Sequence, residues 1–414
     1  MGKIPRILFC VLLLASPAWG AEAVPGTTVQ GLLQWLEQSS GEIAAAKYDT
    51  ESARQRAEAA GTLPDPSVRI EWQDVNGAKV LPGQVGSMKY TVLQALPGWG
   101  KREAQKQVAM AQTAVAQEQA RVVRSELRTR VKIAFARYYQ AHRALRLNDE
   151  LAKFTDTVAE LAKVRYENNR ATQQELVRAQ LEQSALQSER IALQSEYSQE
   201  QARINALLNR FAGETLAAPE SLRPLPPPDV LNPQQLELRL AQSSPQLAGM
   251  TAQTAVALGS AELAQKNLTP DFVLGVGPKQ RGTSFNTWEA MLEFTVPLQR
   301  AGHGAHQNEA EQMLQADRSR LMAAEAKLMG ELREHYAALQ AAREQETLTH
   351  QRVLPLAELA YNGAQEGYRN GRVDFATLLE AKRQIQKARL DELNASVEQQ
   401  IHLAEIERLT GEEL

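Results

Sequence analysis

The sequence predicts a mainly α-helical protein with a small β part, built as two copies of one helix–β-hairpin–long helical hairpin unit. Three observations lead there. Ala, Gln, Glu, Leu and Arg dominate the 414 residues and aromatics make up only 5%, a composition of long helices rather than of a large mixed core. A series of phrases recurs in the same order roughly 200 residues apart. Four short runs alternate apolar and polar residues, with long polar, heptad-patterned stretches between and after them.

The chain opens with basic Lys3 and Arg6, an apolar run over 7–15, and small residues on both sides of a cut between Gly20 and Ala21. This reads as a signal peptide over 1–20, too short to span a bilayer. The single cysteine, Cys10, lies inside the apolar run and follows Phe9, which is not a lipoprotein signal, so no lipid anchor and no disulfide are expected. A net charge of −3 gives no reason to expect a nucleic-acid partner.

The repeat is ordered. "LEQSSGEIAAA" (36–46) returns as "LAQSSPQLAGM" (240–250), "PSVRI" from Pro66 as "PDFVL" from Pro270, Pro97 as Pro297 and Tyr138 as Tyr336. "YENNRATQQELVRAQ" (166–180) returns as "YRNGRVDFATLLEAK" (368–382). The units are 21–217 and 234–414. Between them "APESLRPLPPPDVLNP" (218–233) carries six prolines and reads as a stiff, extended connector.

Each unit has one predicted layout. A helix covers 30–61 and again 233–267. Strands follow at about 66–74 and 86–96, and at about 271–277 and 287–297. A very long helix runs over 101–168 and 304–370, the second with a kink or break at Pro355. A returning helix covers 172–210 and 375–410. Seams spaced by seven (Val108, Val115, Val122; Val131, Tyr138, Leu145; Leu314, Leu321, Leu328) pack helix on helix. At about 1.5 Å per residue the long helices reach ~100 Å, and the first and last helices of a unit, end to end, match that length. The chain reverses at tips near 166–173 and 368–375, where Asn168-Asn169 and Asn370-Gly371 tolerate left-handed backbone.

Val68, Ile70 and Trp72 alternate with Arg69 and Glu71. Phe272, Leu274 and Val276 alternate with Asp271, Val273 and Gly275. Trp288, Ala290, Leu292, Phe294 and Val296 alternate with Glu289, Met291, Glu293 and Thr295. The plainer reading is two hairpins on a soluble core. Export, and the lack of any other apolar face to cover them, favour strands that cross a membrane. "NGAKVLPGQVGS" (76–87) and "PKQRGTSFN" (278–286) are then outer loops, and Trp99, Trp72 and Trp288 interfacial anchors. About eight strands are the practical minimum for a barrel and open edges are prohibitive in lipid, so four strands require several chains.

"LPDP", "PDFVLGVG" and "GYRNGRVDFATLLEAKRQ", with the duplicated unit, resemble the outer membrane efflux protein (TolC-type) family over essentially the whole mature chain, most closely its heavy-metal branch, the cobalt–zinc–cadmium and copper–silver exporters. The resemblance implies a homotrimer with a trimeric α-helical barrel and a shared 12-stranded transmembrane β-barrel. It places the protein in the outer membrane of a Gram-negative bacterium with a large periplasmic extension. It implies two partners, a periplasmic adaptor (membrane fusion) protein and a proton-driven inner-membrane pump of the RND type. The function implied is a passive conduit for heavy-metal cations, with organic compounds as the alternative cargo.

In this family the acidic residue of "LLDA" rings the closed mouth. Here "LLEA" puts Glu380 at that place, and the repeat puts Arg178 opposite it in the first unit, so the pair is expected to latch neighbouring hairpins. Asp374 and Tyr368 are further gate candidates, and Asn169, Arg170, Asn370, Gly371 and Arg372 candidate adaptor contacts. The alternative is that these are solvated helix-tip charges.

His303-Gly-Ala-His306 has ligand-like spacing but no nearby Cys or Asp, so no metal site is expected there, nor any cofactor. No G-x-S-x-G, H-E-x-x-H or phosphate-cradling loop occurs, so no enzyme is expected. A periplasmic adaptor is the remaining rival, but it needs one hairpin flanked by soluble β-domains, and this chain has two hairpins.

Overall fold

The computed structural model describes residues 24–73, 86–168, 172–227 and 229–414. The signal segment and most of the loop at 76–87 lie outside the described residues.

The first unit comprises α1 (Val29–Ser39), α2 (Gly41–Ala60), β1 (Ser67–Gln73), β2 (Ser87–Leu96), α3 (Lys101–Glu167) and α4 (Gln173–Leu207). The second repeats it as α5 (Pro233–Ser243), α6 (Pro245–Lys266), β3 (Phe272–Arg281), β4 (Ser284–Phe294), α7 (Arg300–Leu348), α8 (Leu354–Arg369) and α9 (Phe375–Thr410). The duplication extends to the caps: Thr28 and Asn232 cap α1 and α5, and Thr172 and Asp374 cap α4 and α9. It extends to the cores, where Leu32 and Leu36 are matched by Leu236 and Leu240, all four fully buried.

Three expectations need correction. The opening helix of each unit is two helices, broken at Ser40 and Ser244, both extended in backbone. Ser40 turns its side chain to accept the Ile43 N–H at 3.3 Å. Ser244 precedes Pro245, whose ring disfavours a helical residue before it. Second, β3 runs on through "PKQR" and β4 starts at Ser284, so the expected loop at 278–286 is mostly strand closed by a short turn at Gly282-Thr283. Backbone pairing outweighs the polar composition there. Third, Val296 lies beyond the end of β4, in the chain leading to α7.

The expected break at Pro355 is a π turn at Thr349–Val353, joining α7 to α8 in one rod. Pro355 has no N–H for the carbonyl four residues back and its ring crowds it. Widening the turn before it removes both problems without ending the helix.

Each long helix is lined along its course by the shorter helices of its unit. On α3, Thr50 of α2 donates to Ala116 O at 3.2 Å, Glu37 of α1 binds Arg124 and Arg128, and α4 continues from Tyr197 (hydroxyl 2.7 Å from that of Tyr138) to Gln183, 2.8 Å from Asp156. α6 and α9 pack on both α3 and α7, binding the two units together. One apolar core surrounds Leu32, Phe135 and Tyr138, a second Leu236, Leu332 and Leu403, and a third fills the tips.

Candidate channel wall and tip

The four strands form one antiparallel sheet in the order β1-β2-β3-β4, so the two hairpins join through β2 and β3. Cross-strand partners share a face. Val68 pairs with Val92, Val92 with Val276, and Val276 with Ala290. Leu274 pairs with Leu292, Phe272 with Phe294, and Pro278 with Trp288. These apolar side chains make one continuous face, largely exposed in the single chain: Leu292 at 61% and Trp288 at 74%. The opposite face carries charge, with Lys89 Nζ 2.6 Å from Glu289 and Arg69 Nη1 3.8 Å from Glu71. Trp72 and Trp288 lie toward the end of the sheet far from the helices. Trp99 sits at the helix end, 80% exposed, its ring centroid 5.4 Å from that of Phe272.

Among the described residues no helix is long and apolar enough to cross a membrane. Gly277 fixes the central seam: a Cβ there would lie 1.7 Å from Tyr90 O, so the two hairpins approach this closely only with glycine. β1 and β4 are the outer strands, each paired on one side only.

At the other end of the rods lies the tip. Gly371 has φ +67°, and Arg372 N–H donates back to Gly367 O at 2.8 Å, which ends α8 and reverses the chain. Asn168 ends α3 and donates its side chain to Val164 O at 2.7 Å. Asn169 and Arg170 lie outside the described residues. Arg372 is exposed.

Asp374 is the cap of α9. Its Oδ1 accepts from Thr377 N at 2.9 Å and Thr377 Oγ1 at 2.6 Å. These hydrogen bonds, with the nearby Arg178 charge, hold its carboxyl below the usual range. Tyr368 is buried among Val158, Phe375 and Leu378, under the Arg165 guanidinium at 5.0 Å. Glu380 and Arg178 are exposed, and among the described residues neither takes part in an ion pair.

A charged contact between the two hairpins within the chain lies one turn further up. Arg383 of α9 grips buried Glu182 of α4 with two nitrogens, Nε at 2.9 Å from Oε1. Beside it Lys382 lies over the rings of Phe154 and Tyr361, at 5.3 and 5.0 Å. Burial, with the repulsion of Arg389, lowers its pKa against the pull of Glu150 and Glu358. Sequence reasoning missed Glu182 and Arg383. Each is one helical turn from a residue it singled out, on the same face, and only the crossing of the helices selects the turn that meets.

Midway along the rods, buried Glu407 of α9 accepts from Lys132 Nζ at 2.9 Å and Arg223 Nη1 at 2.8 Å. Lys132 and Arg128 also hold Glu413, and Arg128 with Arg124 holds Glu37. This chain of charges ties α1, α3, α9, the connector and the C-terminal segment into one belt.

The arrangement is a wall segment. A sheet with one apolar face and two open edges continues into two antiparallel helical hairpins, about 100 Å of rod by the length of α3, 67 residues. A model of the family described as outer membrane efflux protein matches residues 238–412. No curated protein matches. Among solved structures, the outer membrane protein VceC of Vibrio cholerae aligns with a TM-score of 0.79 and 15% identity over 93% of this chain and 96% of that one. CusC aligns at 0.79 and 16%, over 94% and 93%. The CmeC outer membrane channel of Campylobacter jejuni aligns at 0.78 and 14%, over 99% and 94%. The chain therefore has the fold of the outer-membrane efflux channels over 93–99% of its length, and most of its second unit, residues 238–412, matches the outer membrane efflux protein family.

Proposed function

We propose that this protein is the outer-membrane channel of a tripartite efflux system in a Gram-negative bacterium. Three copies share one barrel, β4 of each pairing with β1 of the next. The conduit receives its cargo from a proton-driven inner-membrane pump through a periplasmic adaptor. The observation that carries this reading is the four-stranded sheet with a continuous apolar face and both edges open. In lipid, unpaired backbone at those edges is prohibitive, and a fourfold strand count closes only by adding copies. The 12 strands of a trimer exceed the ~8 needed.

The tips form the periplasmic mouth and the adaptor contact, with Asn169, Arg170, Asn370, Gly371 and Arg372 at the turn. Glu380, exposed and without an ion pair among the described residues, is the residue that rings the axis, with Arg178 of the neighbouring hairpin as its partner. Asp374 and Tyr368 shape the tip from within, one as a helix cap and the other as its packed base. Heavy-metal cations are the favoured cargo, on the resemblance of the tip segment to that branch. A conduit of this kind needs no ligand of its own for the cargo.

The test has two parts. Purified protein in planar bilayers conducts, and Glu380→Gln reduces its cation selectivity with folding unchanged. A strain lacking this chain alone loses resistance to zinc, cobalt, cadmium, copper or silver. Loss of resistance only to organic toxicants rejects the metal cargo. Material that stays monomeric and soluble without detergent rejects the channel.

A further inference from the structure

Two imidazoles face each other across the packing of α7 on α9, well away from the tip. His335 Nδ1 and His402 Nδ1 are 3.2 Å apart, and both side chains are half-buried. On the far side of the His402 ring, Nε2 lies 3.6 Å from Glu398 Oε2, one turn back on α9. A carboxylate behind one ring nitrogen, with the other aimed inward, is the arrangement that orients histidine metal ligands. Burial pushes the His402 pKa down, as does His335, against Glu398, Glu405 and Glu334. Glu405 is held by Arg408 at 2.7 Å, so Glu398 and Glu334 are the carboxylates that make the surroundings favourable to a cation.

We propose that His335 and His402 are the protein ligands of a divalent transition-metal site, of the zinc and copper class, that bridges α7 to α9. Two nitrogens bound at about 2.0–2.1 Å around a tetrahedral ion stand roughly 3.3 Å apart, close to the separation found. Without metal, one Nδ1–H donates to the other Nδ1. On binding, the donating ring carries its proton on Nε2 instead, a change of tautomer with no net proton released. Among the described residues no group of three or more His, Cys, Asp or Glu is placed to hold an ion. Water completes the coordination, and the site is exchangeable rather than structural. Imidazole pairs favour copper over zinc at equal concentration. The inference does not depend on the efflux reading, since it concerns binding by the purified protein and not transport.

The test uses the full-length protein in detergent, free of any histidine tag, titrated with Zn²⁺ by equilibrium dialysis and with Cu²⁺ by electron paramagnetic resonance. One ion per chain is expected, with a copper spectrum showing two nitrogen ligands. His335→Gln and His402→Gln each weaken binding at least about tenfold, and Glu398→Gln about tenfold through the His402 orientation. His303→Gln/His306→Gln leaves the affinity unchanged. Binding that survives both single histidine substitutions, or no binding at micromolar metal, overturns the proposal. Should the histidine variants not fold, Glu398→Gln decides, because that side chain is 56% exposed and its loss leaves packing intact. An unchanged affinity there overturns the site.

Discussion

Glu407 is heavily used among the charges of the described residues. Its carboxylate is 4% exposed and holds Lys132, Arg223 and the Leu414 N–H, each from a different segment. Removing one member of a buried pair leaves the others charged and dry, which typically costs 3–5 kcal/mol. Glu407→Ala is therefore expected to lower stability by about that much in urea unfolding, with the C-terminal segment and connector released first. The neighbouring acids set an acid limit. Burial acts to raise the Glu37 pKa, but Arg124 and Arg128 hold it below its ordinary value. Burial acts likewise on Glu413, and Arg128 and Lys132 hold it down. Both folded values lie below the unfolded one, 4.5. Their contribution is complete above pH ~4.5 and is lost as the pH falls through the folded values, so stability rises with pH in that window. Thermal melts between pH 5 and 3 should show this fall, and Arg128→Leu should flatten it.

At the scale of elements, two joints near the ends of the rods add to the α3–α6 and α3–α9 packing that holds the halves of the duplication together. The first is the β2–β3 seam. Gly277→Ala places a methyl group against Tyr90 O, and no side-chain movement relieves a clash with backbone. This variant is expected to reach the membrane fraction poorly and to yield no heat-modifiable oligomer, whereas the helical rods, far from the seam, keep their circular dichroism. The second joint is Glu182–Arg383. Arg383 is 48% exposed, so the loss on Glu182→Gln is modest, about 1–2 kcal/mol. The expected readout is functional: the α3–α4 and α8–α9 hairpins part more easily, and basal conductance in bilayers rises. Its sign separates a latch from a solvated charge pair, which leaves conductance unchanged. The π turn marks a further difference between hairpins, because α3 runs unbroken where the second rod is widened at Thr349–Val353.

At the scale of the molecule, an apolar sheet face and unpaired outer strands are unfavourable in water for a single copy, so on the proposed function assembly and membrane insertion are expected to be one event. Unheated gel samples should migrate as a trimer and boiled samples as the single chain, somewhat below the 45.8 kDa of the full 414 residues once the signal peptide is removed. The sequence by itself determined the duplication, the length of the rods, the four strands, the reversing tips and the break at Pro355. All of these are local: heptad and alternate-residue periods, prolines and a glycine act through the residues beside them in the chain. Only the tertiary structure decided that Glu182 rather than Arg178 meets α9, that Tyr368 is packed inside the tip, that Glu407 gathers two cations and a backbone N–H from three segments, and that His335 faces His402. Each depends on which turn of one helix crosses which turn of another. A helix repeats its face every 3.6 residues, so a sequence offers several equivalent turns, and the packing of the long rods selects one.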